Sequence, residues 1–162
     1  MRKASHHHSR CHAIDLPVGF ATQEKTLMTT QRFAIGTVVG GLVLFFLGYL
    51  IFGVVFADFF AANAGTATGV QKEPFDFVSL AIGQLAWGAA LTLILGWANV
   101  SSVGQAARVS ALVGLLLFFG FDLTMFATTN NSTLLATVVD PILAAALFGV
   151  AGAAIAAVTR RK

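Results

Sequence analysis

Two carboxylates occupy positions that a bilayer-crossing chain seldom gives them. Asp122 lies in Phe121-Asp122-Leu123-Thr124-Met125 and Asp140 in Val139-Asp140-Pro141, each inside an apolar run long enough to span a membrane. A charged side chain at the bilayer centre is unfavourable by roughly 2.5–3.5 kcal/mol on insertion scales, and by less near the interface. Such groups normally face other helices and find partners there. Gln84 in the second apolar run and Asp58 near the end of the first complete a candidate polar layer of Asp122, Asp140, Gln84 and Asp58. No Lys or Arg lies in the same half of any span to neutralise it. A proton would serve, as would a hard cation held by oxygens from Asp122, Asp140, Gln84 and Thr124.

A plainer reading stands beside this one. Asp140-Pro141 also has the form of an N-cap followed by Pro at the first helical position. The last span would then start at Pro141, and residues 128–139 would form a loop or interfacial segment. Asp122 could accept hydrogen bonds from Tyr49, from neighbours around Thr124 or from the backbone of a broken helix. Asp58 would sit at the interface.

Other chemistries find little support. Intramembrane aspartyl proteases also place two carboxylates on neighbouring spans, but their GxGD motif is absent where this chain reads Phe119-Gly120-Phe121-Asp122. No span carries His or Cys, the usual ligands of haem, zinc and copper. Ser79 and Ser110 have no His or Lys base within the spans. His6, His7, His8, Cys11 and His12 are metal-ligand types close together, but the segment around them reads as a short tail too polar to build a core. No catalytic residue, cofactor or metal site is expected, and the chain is not expected to be an enzyme.

Composition fixes the class. Of 162 residues, 57% are hydrophobic and 10% charged, against roughly 25% charged in soluble domains. A soluble fold of this length has too little interior to hide so much apolar surface. The expectation is an all-α integral membrane four-helix bundle. The net charge of +3 does not suggest nucleic acid, because the basic residues sit at helix ends. A lone Cys11 excludes an internal disulfide.

The elements that must position the polar residues follow in order. Residues 1–32 read as a cytoplasmic tail, and Met28 is a second candidate start that would make residues 1–27 an extension of the frame. Residues 33–162 form the membrane domain, with spans over about 33–60, 77–98, 106–127 and 134–158. The first is read as one helix from Phe33 to Ala57 and on toward Ala62. Its Ala62-Asn63-Ala64 resembles a signal-peptidase site, but the preceding run is too long for a signal peptide. Gly36 and Gly40 form a GxxxG, and the last span carries Gly149 and Gly152 among alanines. Small residues there would let helices approach closely. Four spans put both termini on one side. That side collects Arg2, Lys3, Arg10, Lys25, Arg32, Arg108, Arg160, Arg161 and Lys162 against Lys72 on the other, so both termini are expected in the cytoplasm.

Two stretches carry a resemblance. They are Gly48-Tyr49-Leu50-Ile51-Phe52-Gly53 leading into Phe56-Ala57-Asp58-Phe59-Phe60-Ala61-Ala62-Asn63, and Gly120-Phe121-Asp122-Leu123-Thr124-Met125 followed by Thr128-Thr129-Asn130. From about Gln31 to Lys162 the chain resembles small four-span bacterial membrane proteins grouped as domains of unknown function. The resemblance implies an inner-membrane location and brings no activity. The leading functional expectation is a non-enzymatic accessory or scaffold subunit, or a homo-oligomer, associating through the small-residue faces of spans one and four. Its partners would be the lipid bilayer and other membrane subunits or further copies of itself. The alternative is a small proton- or cation-coupled transporter or channel using the polar layer.

Overall fold

The computed structural model describes residues 29–159. Helix α1 spans Thr30–Gly48 and continues as a π-helical segment, Tyr49–Val55. A short α2 covers Ala57–Ala62, followed by α3 (Phe77–Trp97), α4 (Val103–Thr128) and α5 (Leu134–Thr159). Among the described residues the only strand-like pairing is a single bridge between Ala64 and Ser132. Four units, Thr30–Val55, α3, α4 and α5, are long and apolar enough to cross a bilayer. The protein is an all-α, multi-pass integral membrane protein built as a bundle of four spans.

Each span begins at an oxygen-bearing cap that satisfies an amide the helix cannot. Thr29 accepts from the Arg32 amide at 3.4 Å, Asp76 from Ser79 at 3.1 Å, Ser102 from Gln105 at 3.0 Å and Thr133 from Ala136 at 3.3 Å. Helix α4 starts before the expected Ala106: Ser102 caps it, and the Gln105 side chain folds back to accept from the amide of Ser101, one residue before the cap, at 2.9 Å. Helix α3 ends on Asn99, whose φ of 48° is the left-handed conformation that Asn tolerates after a helix C-terminus.

Two sequence expectations are corrected. The last span does not start at Pro141: Thr133 caps it, and Asp140 and Pro141 lie well inside α5. The apolar run from Leu134 to Val139 is long enough to continue the helix, which outweighs the local preference for Asp-Pro as a start. The first span is not one uninterrupted α-helix. It widens at Tyr49, where the Phe56 amide reaches the Ile51 carbonyl at 2.8 Å, and it breaks at Phe56.

In space the order is α3, α1, α5, α4, with α5 held between α1 and α4. Glycines set the close approaches. A Cβ on Gly36 would lie 2.6 Å from Thr92 Cγ2, and one on Gly40 would lie 2.7 Å from Ile155 Cδ1. A Cβ on Gly149 would meet Ala111 Cβ at 3.3 Å, and one on Gly152 would run into Ser110. The small-residue faces are therefore turned inward and used within the chain.

The buried core is uneven along the bundle. Leu44, Leu91, Leu95, Ala106, Ala151, Ile155 and Ala156 form one cluster toward the end where Thr30, Trp97, Val103 and Thr159 lie, here called the terminal end. Toward the opposite, loop end, α1, α3 and α4 have no buried residue beyond Leu44, Gly88 and Gly114, and only α5 remains enclosed. The helices meet closely in one half and separate in the other.

Candidate functional site

Helices α4 and α5 run antiparallel in a register that can be followed turn by turn. Ser110 and the Ala106 carbonyl face Gly152, and Gly114 faces Phe148 and the Ala144 carbonyl. The Phe118 ring lies against Phe148 with centroids 5.6 Å apart. One turn further along this seam, Asp122 meets Asp140, and the two carboxyl groups lie in hydrogen-bonding contact. The stripes Ala106, Ser110, Gly114, Phe118, Asp122 and Asp140, Ala144, Phe148, Gly152, Ala156 each repeat every four residues, so each presents a single helix face.

Both carboxyl groups lie on spans and away from the helix ends. Asp122 stands about six residues before the end of α4 and Asp140 about six after the start of α5, roughly 9 Å of helix in each case. On α4, Arg108 and Asp122 are about fourteen residues apart, roughly 21 Å, which is less than the roughly 30 Å hydrocarbon thickness. With Arg108 held at one surface, Asp122 falls short of the other.

Neither carboxyl group is satisfied by a donor. Asp122 Oδ2 and Asp140 Oδ1 are both enclosed and have no hydrogen-bond partner among the described residues. Tyr49 does not supply one, being 60% exposed. Thr124 is committed to its own helix, donating to the Gly120 carbonyl at 2.8 Å. Pro141 has no N–H to give the Thr137 carbonyl, so another oxygen beside the pair lacks its usual helical donor. Two carboxyl groups in contact with no donor need a positive charge between them, which can be a proton or a metal cation.

Gln84 and Asp58 do not join the pair. Gly41 lies beside the Gln84 carbonyl, whereas Gly48, two turns further along α1, lies beside Leu147, itself two turns short of Asp140. Gln84 is therefore displaced toward the terminal end relative to Asp140. The expected four-residue layer assumed helices starting at one level, but α3 is offset along α1. Asp58 is exposed in the first turn of α2 and makes no hydrogen bond or ion pair among the described residues. The His and Cys patch at residues 6–12 lies outside the described residues.

Three features beside the pair escaped the sequence reading. On the terminal side Trp87 closes on Phe118 and Phe148, with centroids 6.4 and 5.6 Å away. On the loop side, Asn63 joins the segment before α2's connecting loop to the cap of α5. Its side-chain oxygen accepts from Thr133 Oγ1 at 3.1 Å, and its carbonyl accepts from the Thr133 amide at 3.0 Å. The Gly65 amide adds a bond to the Asn131 carbonyl at 3.0 Å, and any side chain on Gly65 would strike the Asn130 carbonyl. Around this staple is a groove of about 610 Å³. No protein-family model, curated protein or solved structure matches this chain.

Proposed function

We propose that the chain is a small proton- or cation-coupled transporter or channel of a bacterial cytoplasmic membrane, working through the Asp122–Asp140 pair. The observation that carries this reading is the contact of two intramembrane carboxyl groups with no donor to either enclosed oxygen. A purely structural Asp at this depth would be expected to have a donor, since an unpaired polar group in hydrocarbon costs several kcal/mol. The excess of basic residues on the side of both termini supports a cytoplasmic position for them, which would put the pair in the outer half of the bilayer. The proposed role is not enzymatic.

The test is flux. Purified protein in liposomes should pass protons or small cations under an imposed gradient, followed with a pH-sensitive dye and with ion-selective dyes. Asp122→Asn and Asp140→Asn should each reduce flux to the protein-free background while the protein stays folded in the bilayer. Absence of flux in the unaltered protein, or flux unchanged by both substitutions, would overturn the reading.

An accessory or scaffold role has one observation in its favour. Leu112, Leu116, Phe119, Leu123 and Phe126 on α4 are all exposed, a continuous apolar surface that suits lipid or a partner helix. Stoichiometric foreign subunits in native mass spectrometry of mildly solubilised membranes, together with absence of flux, would favour that role.

A further inference from the structure

The pair is flanked by unlike surroundings along the membrane normal. One turn toward the loop end on α5 is Ala136, on the same helix face as Asp140 and 3% exposed. Ala136 is also part of the wall of the loop-end groove. The polar wall consists of Asn63, Gln71, Glu73, Asn131 and Ser132, which offer oxygen ligands and one carboxylate. The neighbouring cation, Lys72, is drawn to Asp76 at 3.6 Å, and Glu73 has no ion-pair partner among the described residues. Toward the terminal end the surroundings are apolar and closed. Phe118 lies one turn from Asp122, Phe148 two turns from Asp140, and Trp87 bridges them from α3. Beyond these rings Ser110 is pressed onto Gly152, and Ala106 and Ala151 are completely buried.

Building on the proposed role of the pair, we infer that Asp122 and Asp140 exchange their cation or proton with the loop-end side alone. The Glu73 groove is the aqueous approach, and the Trp87–Phe118–Phe148 cluster is the barrier to the terminal end. A single carboxylate among amide and hydroxyl oxygens suits a partly hydrated cation, which enters a negative potential without being held. Three packed rings exclude water from the other direction. Passage across the membrane then requires the rings to separate, and Trp87 is the member free to move: it is 37% exposed and comes from the helix that barely touches α4.

Sidedness of labelling tests this without measuring flux. In the unaltered protein in sealed vesicles, a membrane-impermeant, water-soluble carbodiimide with a small amine is added to one face at a time, and modified carboxyls are mapped by peptide mass spectrometry. Asp140 or Asp122 should be modified from the loop-end face at least tenfold faster than from the terminal face. A second measurement uses Cys11→Ser protein carrying Ser132→Cys. A cationic methanethiosulfonate should react with it from the loop-end face, and Glu73→Gln should slow that reaction several-fold while leaving a neutral reagent of the same size unaffected. Trp87→Ala should make the pair reactive from the terminal face as well. Equal labelling from both faces in the unaltered protein, or labelling from the terminal face alone, would overturn the inference. So would a Glu73→Gln effect that is the same for charged and neutral reagents. Sided labelling without flux would leave this access route standing and remove the transport reading, whereas flux with unsided labelling would do the reverse.

Discussion

The two halves of the bundle solve the membrane problem differently. In the terminal half, glycine and alanine bring backbones together: Gly36 and Gly40 meet Thr92, Gly88 and Ile155, and Gly152 meets Ser110. Lipid tails are as apolar as these side chains, so close van der Waals contact, not burial from water, holds this half together. In the loop half the helices separate. Gly83 and Gly120 have open space where a Cβ would point, and Phe77, Val78 and Ile82 of α3 are exposed. That half is held by the polar staple at Asn63, Gly65 and Thr133 and by the seam of α5 with α4. The tightly packed half leaves no room for an ion, whereas the looser half has space between its helices. The carboxyl pair stands where one gives way to the other.

The comparison is broken most directly by adding one side chain to each half. Gly152→Leu forces a side chain into Ser110 and the Ala106 carbonyl. It should destabilise the protein by about 3 kcal/mol or more and separate α4 from α5. Gly120→Leu, with nothing within 4 Å, should stay within about 0.5 kcal/mol. Thermal unfolding in detergent distinguishes them, and equal effects would refute an uneven bundle.

A gentler version removes side chains instead. Leu44→Ala in the closed half should cost about 2 kcal/mol by leaving a cavity, and Val54→Ala on the exposed π-helical segment close to nothing.

The staple should matter less than the core. Thr133→Ala removes the cap of α5 and the bond to Asn63, and should cost about 1 kcal/mol. Amide exchange should rise around residues 63–67 and 131–137, while Leu91 and Ile155 remain protected.

The smallest effect should be that of pH on the start of α3. Hydrogen bonds from the Ser79 hydroxyl and amide, helped by Lys72, hold the Asp76 carboxyl below the usual carboxylate range. Because the folded-state value is the lower one, this contribution is complete above the unfolded value, roughly 3.9, and fades as pH falls through the folded value. Exchange at Phe77–Leu80 should therefore rise only in strong acid, and Asp76→Asn should remove that dependence.

Much of the fold is legible along the chain because the bilayer reads composition locally. Four long apolar runs with polar breaks at Asn63–Asp76, Asn99–Ser102 and Thr129–Thr133 specify four spans wherever neighbours lie. The Gly36 and Gly40 pattern and the alanines around Gly149 likewise mark faces that need close neighbours. Local rules misled where longer forces compete with them. Asp140-Pro141 looks like a helix start over two residues, but the chain from Leu134 onward is helical and capped by Thr133. The widening at Tyr49 and the break at Phe56 have no Pro to announce them.

The sequence by itself determined that the chain enters the bilayer four times, which ends carry the basic residues, and that Asp122 and Asp140 lie within apolar runs. Those are properties of segments, set by hydropathy and by a hydrocarbon layer of fixed thickness. Only the tertiary structure decided which polar groups meet. The α4–α5 register, fixed by Gly114 against Phe148 and Ser110 against Gly152, brings Asp122 to Asp140, while the offset of α3 along α1 displaces Gln84 toward the terminal end. Register depends on how side chains of two distant segments interlock, and that information is shared between helices instead of being written in either one.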